Sequence, residues 1–178
     1  MTLDSLKDLI PDYARDLKLN LGTVLSVQGS PGLSETQIWS LALATAIAAR
    51  NVEFARAIEV LASEKLDTAH LTAARSAAAI MGMNNVYYRF VHLVADGEYK
   101  TLPARLRMNV IANPGIDRDD FELLSLAVSA LNGCGMCITA HEGKLRAHGV
   151  SREAIQSAVR IASTIHALAG TLEFARAA

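Results

Sequence analysis

Aromatic residues supply only 5% of this chain, and cysteine occurs only twice. With so few aromatics in a chain whose hydrophobic residues reach 51%, most of them Ala, Leu, Ile and Val, close helix packing is favoured over stacked sheets. An all-helical fold is expected. At 178 residues a core of sufficient size forms without disulfides, which leaves the two cysteines free for chemistry. Positive charge is not in excess: 17 Lys and Arg, scattered rather than clustered, face 18 Asp and Glu, and a formal charge of −1 argues against phosphate backbones as ligands. No apolar run approaches the roughly 20 residues that cross a bilayer, the apolar region at 41–49 included. No cationic segment leads into an apolar one at the N-terminus. A cytoplasmic chain is therefore expected, with neither nucleic acid nor membrane as partner. Nucleotide fingerprints are missing too, with no G-x-G-x-x-G and no P-loop.

Helical spacing organises what is there. Residues 1–19 place Leu3, Leu6, Leu9, Ile10, Tyr13 and Leu17 on an amphipathic lead-in that Pro11 breaks or restarts. After a Gly/Pro/Ser turn at 28–32, Ser34 and Gln37 stand in capping-box positions for a helix running to about Arg50. Further helices are expected over 51–65 and over 67–80, the latter ending near Gly82. "VYYRFVHLV" at 86–94 has strand propensity but helical neighbours, and is read as helix. Pro103, Pro114 and Gly115 mark an irregular connector over 98–116. A buried helix follows over 117–131. Asn132-Gly133 interrupts it, another helix runs from about Cys134 to Gly149, and Ser151 caps the last one.

Shifting the chain by 51 residues lays "AAIMGMNNVYYRF" over "SALNGCGMCITAH", so that Met83 meets Cys134, Val86 meets Cys137 and Phe90 meets His141. This describes one domain over 1–178 with a degenerate half at about 33–97 and a reactive half at about 117–178.

Both cysteines fall in "NGCGMCITAH", three residues apart, with a histidine four further on. On a helix Cys134, Cys137 and His141 share a stripe, and one turn brings two cysteines within disulfide range. A helix start beside Cys134 favours thiolate there, while His141 stands ready to activate Cys137. Glu122, twelve residues before Cys134 in the apolar run "FELLSLAV", is costly unless it points into a polar site, and an antiparallel turn would bring it to the imidazole. A redox dithiol is the favoured reading of the pair. Two small apolar residues filling a helix interface, or a metal half-site, are the alternatives, and zinc lacks a second ligand pair. His70, His92, His148 and His166 read as structural, and Met81, Met83, Met108 and Met136 as gap-filling.

"MGMNNVYYRF", "LRMNVIANPGI", "FELLSLAVSALNGCGMCITAHE" and "LRAHGVSREAI" together resemble the alkylhydroperoxidase D (AhpD) family of the carboxymuconolactone decarboxylase-like superfamily, over nearly the whole chain. The resemblance implies an all-α fold of two similar halves, assembled as a homotrimer, and a thiol peroxidase reducing organic hydroperoxides and hydrogen peroxide. It implies Cys137 as the peroxidatic thiol that becomes a sulfenic acid, Cys134 as proton donor and resolving thiol, His141 as general base and Glu122 as proton relay. It implies dihydrolipoamide as reductant, with no cofactor or metal bound, and as partners the peroxiredoxin AhpC, a lipoylated acyltransferase and its dehydrogenase. One departure stands out: Met136 occupies a position where well-known members carry His, and a thioether moves no proton. A reducing adaptor for AhpC with little peroxidase activity, or a decarboxylase-like enzyme needing no thiols, are the competing expectations.

Overall fold

A computed structural model of the chain describes residues 1–176; positions 177 and 178, with which the sequence-based domain ends, lie outside the described residues. Every regular element among the described residues is helical. Helix α1 (Leu3–Lys7) opens on a Thr2/Ser5 capping box. Pro11 precedes a 3₁₀ turn, Asp12–Ala14, that runs directly into α2 (Arg15–Val24), so the proline restarts the helix rather than ending it.

Helix α3 (Glu35–Ala48) starts at the expected box: Ser34 Oγ accepts the Gln37 N–H and Gln37 Oε1 accepts the Ser34 N–H. From Ile38 to Ala46 every residue is buried, which a helix tolerates only when partners surround it. Those partners are α4 (Val52–Ser63), α5 (Thr68–Leu93), α7 (Arg118–Leu131) and α9 (Arg152–Arg176), with alanines at 42, 44 and 46 allowing close approach. Each fully buried Leu or Ile, such as Leu41, Ile58 and Ile165, contributes about 1.5–3 kcal/mol relative to exposure. Asn51 caps α4 and its amide also donates to the Ala169 carbonyl, pinning α4 to α9.

One expectation is corrected. The helix beginning after Asp67 does not end near Gly82 but continues to Leu93, about 39 Å in all. A glycine inside a helix costs only about 1 kcal/mol relative to alanine, and burial of Met81, Asn84, Asn85 and Val91 on either side outweighs it. "VYYRFVHLV" is accordingly helical to Leu93, as expected. The connector holds a 3₁₀ turn, Gly97–Lys100, and the short α6 (Asn109–Ala112). Gly115, at φ +80°, turns the chain toward α7. A hydrogen bond of 2.6 Å from Gln37 to Asp120 sets the starts of α3 and α7 side by side. Helix α8 (Gly135–Ala147) packs on α7 and α5. Ser151 caps α9, its hydroxyl accepting the Ala154 N–H. No helix among the described residues is long and apolar enough to cross a membrane.

Candidate active site at the junction of two helices

Helix α7 begins at Asp117, whose carboxylate accepts the N–H groups of Asp119 and Asp120. It ends in a Schellman motif: Gly133 N–H reaches the Ala130 carbonyl and Cys134 N–H the Ser129 carbonyl, both at 3.1 Å. The motif needs a left-handed residue, and Gly133 supplies φ +68°. Cys134 then serves the next helix as N-cap, its sulfur accepting the Cys137 N–H at 3.4 Å. One residue thus closes α7 and opens α8, and the chain reverses with almost no loop. Cys134 and Cys137 are joined as a disulfide with Cα atoms 5.3 Å apart. Both are sheltered, at 0% and 5% exposure.

The reversal lays α8 along α7. His141, one turn beyond Cys137, and Glu122 are both buried, and His141 Nδ1 lies 2.5 Å from Glu122 Oε2. The bond is direct, with no bridging atom. Lys144 Nζ donates to the other carboxylate oxygen at 2.8 Å. Burial pushes the Glu122 carboxyl up, but the hydrogen bonds from His141 and then Lys144 outweigh it and hold the group below its usual range. An ionised carboxylate only accepts, so Nδ1 carries the proton and Nε2 of a neutral His141 keeps its lone pair for another partner.

The four residues singled out in the sequence thus form two pairs, the Cys134–Cys137 disulfide at the head of α8 and the His141–Glu122 hydrogen bond one turn further along it. Lys144 was missed, although it stands on the stripe 137, 141, 144, 148 that helical spacing defines. His148, read as structural, is exposed and pairs with Asp119 at 2.5 Å on the same two helices. Met108, read as gap-filling, lines an open cleft of about 580 Å³ with Ile111, Glu122, Lys144 and His148. Among the described residues no group of three or more His, Cys, Asp or Glu side chains is placed to hold a metal ion.

Because Lys144 is half exposed, its hold on Glu122 is partly screened by solvent, and a modest effect is expected from its removal. Lys144→Gln should move the Glu122 carboxyl titration upward, toward the usual range, as read from its carbon chemical shift against pH. A titration that stays in place would show His141 alone to be sufficient.

Residues 97–178 match the model of the Carboxymuconolactone decarboxylase family. The chain is 57% identical over 173 residues to the alkyl hydroperoxide reductase AhpD of Rhodospirillum centenum, covering 97% of this chain and 91% of the relative. It is 58% identical to that of Rhodopseudomonas palustris, covering 97% and 94%, and 54% identical to that of Brucella canis, covering 98% of both chains. The chain belongs to the AhpD family. Similarity to the AhpD relatives at this coverage runs across α3 and α5 as well as across α8.

Proposed function

We propose that this chain is a thiol peroxidase that reduces organic hydroperoxides and hydrogen peroxide through a Cys134–Cys137 dithiol/disulfide cycle. The observation that carries the reading is the disulfide at the head of α8, one helical turn from a buried His141 held by Glu122. It is supported by the AhpD relatives, named alkyl hydroperoxide reductases.

In the reduced protein His141 Nε2 takes the Cys137 proton. The thiolate attacks the outer peroxide oxygen, the O–O bond breaks and the alkoxide leaves with the electron pair. Cys134 protonates the alkoxide, and its thiolate attacks the sulfenic acid on Cys137. The S–S bond forms, and the departing hydroxide takes the proton back from His141 as water. Dihydrolipoamide then reduces the disulfide through a mixed disulfide, giving up two thiol protons and two electrons to become cyclic lipoamide. Glu122 stays ionised throughout and orients the imidazole. No bound cofactor or metal enters the cycle.

The reductant is carried on a lipoylated acyltransferase served by its dehydrogenase, and AhpC is the peroxiredoxin partner. One cytoplasmic domain spans residues 1–178, with a degenerate half at about 33–97 and a catalytic half at about 117–178. Exposed Val86, Phe90 and Leu93 on one stripe of α5 support burial of that face in a homotrimer. With methionine at 136, His141 is the imidazole that α8 offers to Cys137.

The sheltering of both sulfurs favours a small peroxide over the disulfide of a folded partner as the primary oxidant. Purified protein is expected to consume tert-butyl hydroperoxide in the steady state with dihydrolipoamide as reductant. A disulfide that dihydrolipoamide reduces readily, without peroxide turnover, would transfer the assignment to a reducing adaptor for AhpC.

A further inference from the structure

We infer that Asn85, seconded by Arg89, is a positioning residue for the dithiol: from α5 it clamps the turn that makes Cys134 the cap of α8. The functional meaning rests on the peroxidase reading, but the clamp itself rests on geometry.

Asn85 is 1% exposed on α5, a helix that carries no cysteine. Its amide nitrogen donates to Ser129 Oγ at 2.8 Å and its carbonyl oxygen accepts from the Asn132 amide at 2.9 Å. One turn further along α5, Arg89 donates to the Asn132 backbone carbonyl at 2.7 Å. That carbonyl belongs to the C-cap of α7, where intrahelical donors have run out and a cation is electrostatically welcome. Ser129 and Asn132 bracket the Schellman turn, and the Ser129 carbonyl is the one that receives the Cys134 N–H. Three side-chain hydrogen bonds between one stripe of α5 and Ser129 or Asn132 thus converge on the five residues preceding the first cysteine.

The amide is suited to the place. It offers a hydroxyl a donor and a second amide an acceptor at the same time, which neither Asp nor Leu does. When the disulfide opens, its covalent tie across the first turn of α8 is lost. What then holds the Cys134 sulfur against the Cys137 N–H is the Schellman turn and this clamp. Fixed there, Cys134 keeps the N–H and helix-end stabilisation of its thiolate and stays beside the sulfur it must capture.

The test is a titration that a merely structural amide would not move. In full-length, reduced protein carrying Cys137→Ser, the rate of Cys134 alkylation by iodoacetamide is followed against pH. The charged or titratable groups that the structure places beside the clamp or the Glu122–His141 pair are Arg89 from α5, Glu122 from α7, His141 and Lys144 from α8, and Arg50 and His166, which line one cleft with Asn85, Arg89 and Asn132; all are retained. Asn85→Ala is expected to raise the midpoint by about one pH unit, a tenfold loss of thiolate at fixed pH. Ser129→Ala, a smaller change, is expected to lower the thiolate fraction about threefold, which keeps the inference testable if Asn85→Ala fails to fold. Unchanged midpoints in folded variants would overturn it. A wild-type protein that reduces no hydroperoxide leaves this titration readable, so the two readings fail separately.

Discussion

Cys137→Ser is expected to lower hydroperoxide turnover by more than about a thousandfold, whereas Cys134→Ser is expected to stall the protein after one peroxide. The two substitutions look alike in size and burial, yet the proposed cycle gives the two cysteines different tasks. Cys137 lies one helical turn before His141, whose Nε2 is free because Nδ1 is committed to Glu122. Without its sulfur no thiolate forms beside that base. Cys134 caps the helix and lies within disulfide distance of Cys137. On the proposed cycle its loss removes the group that protonates the alkoxide and captures the sulfenic acid, so Cys134→Ser should accumulate a sulfenic acid trapped by dimedone in a ratio of one per chain. Excess peroxide should carry it onward to sulfinic acid, visible by mass. Dimedone labelling of Cys137→Ser instead, with none in Cys134→Ser, would exchange the two roles.

Loss of the carboxylate–imidazole pair is the second large effect. His141→Gln and Glu122→Gln are each expected to lower kcat/KM by about 10²–10⁴-fold, the usual contribution of a positioned general base. The two act on one proton, so the double variant should be little worse than either single one; fully multiplicative losses in steady-state kinetics would show two independent tasks. The pH dependence follows from the sign of the Glu122 shift. Its carboxyl is held below the usual range, so the ionised Glu122, and the stability that its hydrogen bonds add to the fold, persist above that range and fade as pH falls through the lowered value. Wild-type activity should therefore show no acid limb from Glu122 within the ordinary carboxylate range.

Local rules make much of this legible in the sequence. Helical spacing put Cys134, Cys137 and His141 together, and the cost of a carboxylate in an apolar run singled out Glu122. The Ser34–Gln37 box is likewise written in neighbouring residues, and the all-α fold follows from composition and period. Gly82 misled because a weak stop signal was weighed without the burial that overrides it in α5. Asn85 was invisible for another reason: its partners lie 44 and 47 residues away, and only the packing of α5 against α7 brings them near. Lys144 lay within reach of the same spacing argument that found His141, but nothing in a surface lysine announces a buried carboxylate one helix away.

Because a single residue ends α7 and begins α8, the eleven positions 123–133 act as a ruler between the carboxylate and the first sulfur. Inserting or deleting one residue within that stretch would swing Glu122 about 100° around the helix axis and away from His141, with every reactive side chain still present. The length of the interval is thus as much a part of the proposed catalytic apparatus as the groups at its two ends, and a substitution within α7 that keeps its residue count disturbs the pair less than any change of that count.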